Sequence, residues 1–213
     1  MTRRNTQRET AARRRRDLIE ATIWSIAEHG IAGTSIESIT RAAGVSRGLP
    51  RYYFGAKSAL FAAAFDRLAN DFLEALVTGS KTREQDALSR LDGAIEALYR
   101  EPHYQPKRLR AWFGFWHAAP SDPLLNEINE KVGLDHVAFV TDLIDEAARE
   151  CGASIDAERA GKGLTALMDG TFLELASDSG ILTPKDAEII CKDYARMVLT
   201  ASPPHKNSVS SLR

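Results

Sequence analysis

Apolar residues recur at helical spacing from Thr10 to Ala201, and no run alternates with the period of two that a half-buried strand needs. An all-α fold follows, and start and stop signals divide it into about nine helices. Ile19, Ile23, Ile26 and Ala27 form a stripe that Gly30 closes as a C-cap. Thr34-Ser35-Ile36-Glu37 reads as a capping box with Thr34 as N-cap, and Ile36, Ile39 and Ala43 give this second helix its apolar face. Gly44 ends it, and Ser46 is placed to cap a short third helix over residues 47–53. Longer helices are expected over residues 56–77, 83–99 and 108–119, with a proline-bracketed loop at 101–106. Asp122-Pro123 opens a helix that runs to Cys151-Gly152. Asp156 opens the next, which stops near Gly180, and Thr183-Pro184-Lys185-Asp186 opens the last.

Charge is divided unevenly along this series. The net charge of −1 conceals ten arginines, no lysine and five acids within residues 1–54, a balance of +5 against −6 for the remainder. A basic amino-terminal quarter on an acidic body fits an anionic partner for that end, nucleic acid foremost, although a solvated tail has the same composition. Arg13, Arg14, Arg15 and Arg16 lie in the first turns of a helix, where cations oppose the helix dipole unless phosphate compensates them. The longest uncharged run, residues 111–121, spans 11 residues and includes His117 and Pro120. A membrane span needs about 18. The opening Met-Thr-Arg-Arg-Asn-Thr-Gln-Arg does not read as a secretory signal, so a cytoplasmic protein is expected. Cys151 and Cys191 have neither disulfide-framework nor metal-ligand spacing and are read as thiols in a reducing compartment.

Three short helices carry the basic charge, and a tight Gly44-Val45-Ser46 turn joins the second to the third. That is the layout of a helix-turn-helix, whose second helix enters the major groove of DNA. On a helix begun at Ser46, Arg47 and Arg51 share a face, and either could make a bidentate contact to guanine. Gly48 removes bulk where backbone approaches DNA, and Tyr52 and Tyr53 offer rings and hydroxyls, whereas Phe54 reads as core. The run from Thr34 through Ala42-Ala43-Gly44-Val45-Ser46-Arg47-Gly48, followed by Tyr53-Phe54 and Lys57-Ser58-Ala59-Leu60, resembles the TetR family's DNA-binding domain over about 50 residues. The resemblance implies that Lys57, at the start of the fourth helix, and Ser35, at the start of the second, bind phosphate. Pro50 departs from the family pattern. Counted from a Ser46 cap it is the fourth helical residue, so a mild distortion of the first turn is expected, with Leu49 extended.

The segment from Ala111 to Ala119 and that from Gly163 to Leu175 resemble the carboxy-terminal domain of choline-responsive BetI-type repressors. In the first, Trp112 and Trp116 lie one turn apart with Phe115 beside them; the second adds Met168, Asp169 and Phe172. Aromatics near a carboxylate can hold a quaternary ammonium through cation–π attraction, and the same aromatics at helical spacing also serve as ordinary core. The pocket is expected between these two helices, for a small-molecule effector of unknown identity. A homodimer is expected through the last two helices, one stripe being Leu164, Leu167, Met168, Thr171 and Leu175, the other Ile190, Tyr194, Met197 and Val198. Gly161, Gly163 and Gly170 each cost roughly 1 kcal/mol in a helix interior, which close helix approach would explain.

The expected organisation is a disordered basic arm at 1–9, a helix-turn-helix domain at 10–55, a ligand-binding and dimerisation domain at 56–201 and a disordered tail at 202–213. Gly161-x-Gly163-x-x-Ala166 mimics a dinucleotide fingerprint but follows no strand. The five histidines pair with no nucleophile, and no cofactor, metal or catalytic residue is expected. The expected function is a repressor that binds a palindromic double-stranded operator as a dimer and is released by its effector, without membrane contact.

Overall fold

The computed structural model describes residues 3–81 and 86–200, with side chains from Thr10 onward. The elements are α1 Arg3–Gly33, α2 Ile36–Ala42, α3 Leu49–Phe54, α4 Lys57–Lys81, α5 Ala87–Leu98, α6 Pro106–Ala118, α7 Pro123–Cys151, α8 Ala157–Ser177 and α9 Pro184–Thr200. A single 3-10 turn, Ala119–Ser121, links α6 to α7. No strand occurs among the described residues.

The punctuation that shapes the chain is mostly where the sequence placed it. Gly30 breaks α1 with φ 68°. The Asp122 carboxylate accepts from the N–H groups of Leu124 and Leu125 to start α7, and Gly152 ends that helix in the left-handed region. Asp156 caps α8 through the Arg159 N–H. Thr183 and Asp186 cap α9 reciprocally: the Asp186 N–H donates to the Thr183 hydroxyl at 3.2 Å, and the Thr183 N–H donates to Oδ2 of Asp186 at 2.9 Å. Several boundaries differ from expectation, two of them at helix starts outside the helix-turn-helix. Helix α1 already begins at Arg3, inside the segment read as a disordered arm, and α5 begins at Ala87, capped by Asp86 rather than from residue 83. The segment 202–213 lies outside the described residues.

Two apolar cores are stacked along α4. The first gathers Leu18, Ile23 and Ile26 of α1, Ile39 of α2, Leu60, Phe61 and Phe65 of α4 and Phe115 of α6. The second joins Ala75 and Leu76 of α4 to Leu91 and Ile95 of α5, Val140 and Ile144 of α7, Leu164 and Met168 of α8, and Cys191 and Ala195 of α9. The amino-terminal core therefore does not close at residue 55. It borrows the first turns of α4 and one face of α6, so neither can move without disturbing it.

Of the three glycines inside α8, two have a packing reason, but within one chain. A Cβ on Gly161 would lie 2.1 Å from Oγ1 of Thr141 on α7, and one on Gly163 would lie 2.0 Å from the Tyr194 hydroxyl on α9. Gly170 faces open space. The stripe assigned to dimerisation is likewise corrected: Leu164, Met168, Thr171 and Leu175 are buried inside the protomer, with Leu167, Tyr194 and Val198 packed partly against the same core. On α9 the expected stripe is split, since Ile190 and Met197 are exposed together with Ile189, while α8 exposes a different face with Ala166, Gly170 and Leu173.

Candidate nucleic-acid interface and ligand pocket

The helix-turn-helix is held by short polar bonds that the sequence reading placed one residue early. Ser35, not Thr34, is the N-cap of α2: the Ser38 N–H donates to Oγ of Ser35, and the Ser35 N–H donates to Oγ of Ser38, both at 3.0 Å. Ser38, rather than Glu37, completes the capping box, and the Thr34 hydroxyl instead donates to the Gly30 carbonyl at 2.8 Å. Ser25 of α1 sits 3.0 Å from the Ser38 hydroxyl and ties the first helix to the second. The turn then closes through Gly44, whose φ of 64° suits only a residue without a side chain clash, and through the Val45 N–H donating to the Thr40 carbonyl at 3.0 Å.

Helix α3 starts later than expected. Gly48 is its N-cap, with no side-chain cap bond, and the Ser46 carbonyl accepts from the Leu49 N–H in the turn before it. Pro50 is thus the second helical residue, where its missing N–H was never needed, and its ring is buried. Leu49 is helical rather than extended. Arg47 precedes the helix, so the shared face with Arg51 does not exist; its guanidinium instead meets Oε1 of Glu37 at 2.7 Å, and Arg41 reaches the same oxygen at 3.2 Å. These exposed pairs are worth little in water and can be exchanged for other anions.

The outer surface of this unit is polar and uncovered. Ser46, Arg47, Gly48, Arg51 and Lys57 are exposed, and Tyr52 has 79% of its surface free. Ser35 is exposed too, with its hydroxyl oxygen already engaged in the cap. Tyr53 is half-buried, its ring edge-on to Tyr52 at 5.0 Å, and Phe54 packs inward beneath the Arg15 guanidinium at 5.0 Å. Arg13, Arg14, Arg15 and Arg16 are all exposed on α1.

A second site lies in the larger core. A cavity of about 470 Å³ opens between α4, α6, α7 and α8, lined by Trp112, Trp116, Asp169 and Phe172 of the expected set. Phe115 and Met168 do not line it. Phe115 is fully buried in the amino-terminal core, stacked on Phe65 at 5.0 Å, and Met168 is fully buried in the other. The helical repeat explains the split: Ala111, Phe115 and Ala119 form one face of α6 towards α1 and α4, while Leu109, Trp112 and Trp116 form the face towards the cavity.

The residues that organise the cavity include several that sequence reasoning passed over. Phe72 is central, its ring 5.5 Å from Trp112, 4.8 Å from His136 and 6.3 Å from Phe172. His136 was legible as a lone histidine in the Val132, His136, Val140 stripe of α7. Burial holds its imidazole neutral, with its pKa lowered to about 4. Thr165 and Asp169 lie one turn apart on α8. Burial raises the Asp169 pKa to about 6. At the other end, Arg108 of α6 bonds Glu20 of α1 at 3.1 Å and also Asp71 of α4, which Arg67 meets at 3.1 Å. The cavity wall is thereby tied to the amino-terminal helices.

Residues 87–200 match the family described as BetI-type transcriptional repressor, C-terminal, and residues 18–64 match bacterial regulatory proteins, tetR family. The chain belongs to the TetR family. HTH-type transcriptional regulator BetI from Burkholderia cenocepacia (strain HI2424) is 29% identical over 191 residues, covering 88% of this chain and 95% of the relative. Among solved structures, a transcriptional regulator from Pseudomonas aeruginosa PAO1 is similar with a TM-score of 0.79 and 30% identity, over 88% of this chain and 91% of that one. A transcriptional regulator from Saccharomonospora viridis in complex with choline shares the fold at a TM-score of 0.76 and 20% identity, over 87% and 96% of the two chains. This TetR-family chain is a BetI-type regulator whose relatives are transcription factors, not enzymes. No helix among the described residues is long and apolar enough to cross a membrane.

Proposed function

We propose that the chain is a cytoplasmic repressor that binds a palindromic double-stranded operator as a homodimer and is released by a small molecule entering the α4–α8 cavity. The observation that carries this reading is the uncovered polar face of the helix-turn-helix, where Arg51 and Tyr52 of α3 stand exposed between Arg47 and Lys57. Arg51 is the residue proposed to read a base edge, since it alone of the two arginines lies on the helix. Lys57, Arg47 and the arginines of α1 contact or approach phosphate, which positions the protein without specifying sequence. Dimerisation uses the exposed faces of α8 and α9 around Leu173, Ile190 and Met197, in keeping with the last two helices and with the exposed part of the α9 stripe, but on another face of α8 than the buried one.

Effector and operator communicate through α4, which carries Lys57 at one end and Phe72 about 22 Å along its axis. A ligand acts only by binding one arrangement of the two reading heads better than another. Choline and betaine aldehyde are the first compounds to assay, because the neighbour from Saccharomonospora viridis holds choline. Fluorescence anisotropy with the DNA flanking the chain's own gene tests the DNA-binding reading. Arg51→Ala should lower preference for that DNA over random duplex by about 10- to 100-fold, a loss of roughly 1–3 kcal/mol, while the protein stays folded by circular dichroism. Unchanged preference in that variant would remove Arg51 from the reading surface.

A further inference from the structure

The α4–α8 cavity has aromatic walls and, from α7 and α8, two lining polar atoms that lack partners. Nε2 of His136 and Oγ1 of Thr165 are buried without a hydrogen-bond partner among the described residues, and both residues line the cavity. The Thr165 hydroxyl does not bond back to its own helix, which is where a buried threonine on a helix ordinarily places it. Asp169 stands one turn further along α8, also on the cavity. The arginines that line the cavity, Arg67 and Arg108, are already paired with Asp71 and Glu20. Desolvation is the cause of the Asp169 shift, with no cation among the described residues offsetting it. Buried polar atoms left unpaired cost stability, and a buried carboxylate without a cation costs more, so such a set is retained where a ligand completes it.

We infer that the cavity takes a protonated amine that still carries N–H groups, on an apolar or aromatic body, in preference to a quaternary ammonium. The inference rests on the reading of this cavity as the effector site and deepens it. A primary ammonium has three N–H donors. The Asp169 carboxylate, the Thr165 hydroxyl oxygen and Nε2 of a neutral His136 are three acceptors, the last in the tautomer protonated at Nδ1. A trimethylammonium satisfies the charge and the aromatic walls through cation–π attraction but leaves the acceptors unbonded. Sites built to hydrogen-bond a ligand's N–H reject the analogue without it, whereas aromatic walls alone discriminate weakly. A cavity of about 470 Å³ also leaves room for a body well beyond the ammonium head, and Phe72, Trp112 and Phe172 supply the surface for it.

Isothermal titration of the full chain with 4-phenylbutylamine and with its N,N,N-trimethyl analogue separates the two head groups on one body. The amine should bind at least tenfold tighter, and Asp169→Asn and Thr165→Val should each shrink that ratio, the two changes being nearly isosteric so that the fold persists. Equal or tighter binding of the trimethyl compound overturns the inference, as does failure of both compounds to bind. Operator affinity is measured separately in the presence of the amine. If the amine binds with the stated preference and operator affinity does not change, the head-group inference stands and the effector reading of the site fails.

Discussion

Asp169 lines the cavity at a cost to the fold. Its carboxyl is raised from 3.8 to about 6 by burial, so the folded chain holds this proton more tightly than the unfolded one. Its favourable contribution is complete below about pH 4 and is lost as pH rises through about 6, leaving a buried charge at neutrality. His136 runs oppositely: its pKa falls from 6.5 to about 4, so its contribution is present above 6.5 and lost on acidification towards 4. The other titratable groups lining the cavity are Arg67, Asp71 and Glu74 from α4, His103 from the segment before α6, and Arg108 from α6; the Tyr99 hydroxyl of the residue closing α5 also feels the Asp169 charge. Asp169→Asn is therefore expected to raise stability at pH 7.5 by about 1–3 kcal/mol and to make the protein more acid-sensitive between pH 6 and 4. Urea unfolding at pH 7.5 and pH 5 checks both, and a variant no more stable than the parent at pH 7.5 contradicts the assignment. The sequence reading found Asp169 by its aromatic neighbours. It did not find Thr165 or His136, because a threonine or a lone histidine on an apolar helix face looks the same whether it packs into a core or borders a cavity.

At the scale of elements, helices were legible wherever a cap and a proline agreed. Asp122-Pro123 and Thr183-Pro184 both placed starts correctly, whereas the α3 start lay elsewhere than its cap residue indicated. Ser46 suggested a start at residue 47, whereas the helix begins at Leu49 with Pro50 in its first turn, where the ring fits and the missing N–H costs nothing. The shift removed Arg47 from the helix and left Arg51 as its basic residue. The apolar stripe of α8 was harder to interpret, because a helix that packs inside its own chain and also offers an outer apolar surface presents two stripes, and periodicity does not say which faces outward. Glycine spacing was informative once neighbours were known. Gly161→Ala is expected to destabilise the protein by about 1–3 kcal/mol, because the new methyl meets the Thr141 side chain and backbone, while Gly170→Ala, facing open space, should not destabilise the fold. Thermal unfolding of both variants checks the contrast, and equal losses would contradict the close α7–α8 approach.

Across the whole molecule, the basic helix-turn-helix end was readable from charge asymmetry and the turn pattern, but the seam between it and the rest of the chain was not. The sequence suggested a boundary at residue 55, and the structure instead runs the amino-terminal core into α4 and α6. Phe115 faces that core from α6 while Trp112 faces the cavity, and Arg108 links α6 to Glu20 of α1. These contacts join the two ends through side chains far apart in sequence, which no local pattern reports. On the proposed dimer, the two α3 helices are expected to meet successive major grooves about 34–36 Å apart. A protection footprint of the full chain on the DNA flanking its own gene tests that claim most directly. The account predicts two symmetry-related protected half-sites whose centres lie about one helical turn, or a small multiple of one, apart, persisting in excess random DNA. Protection that vanishes under that competition, or a single unrepeated site, would contradict it.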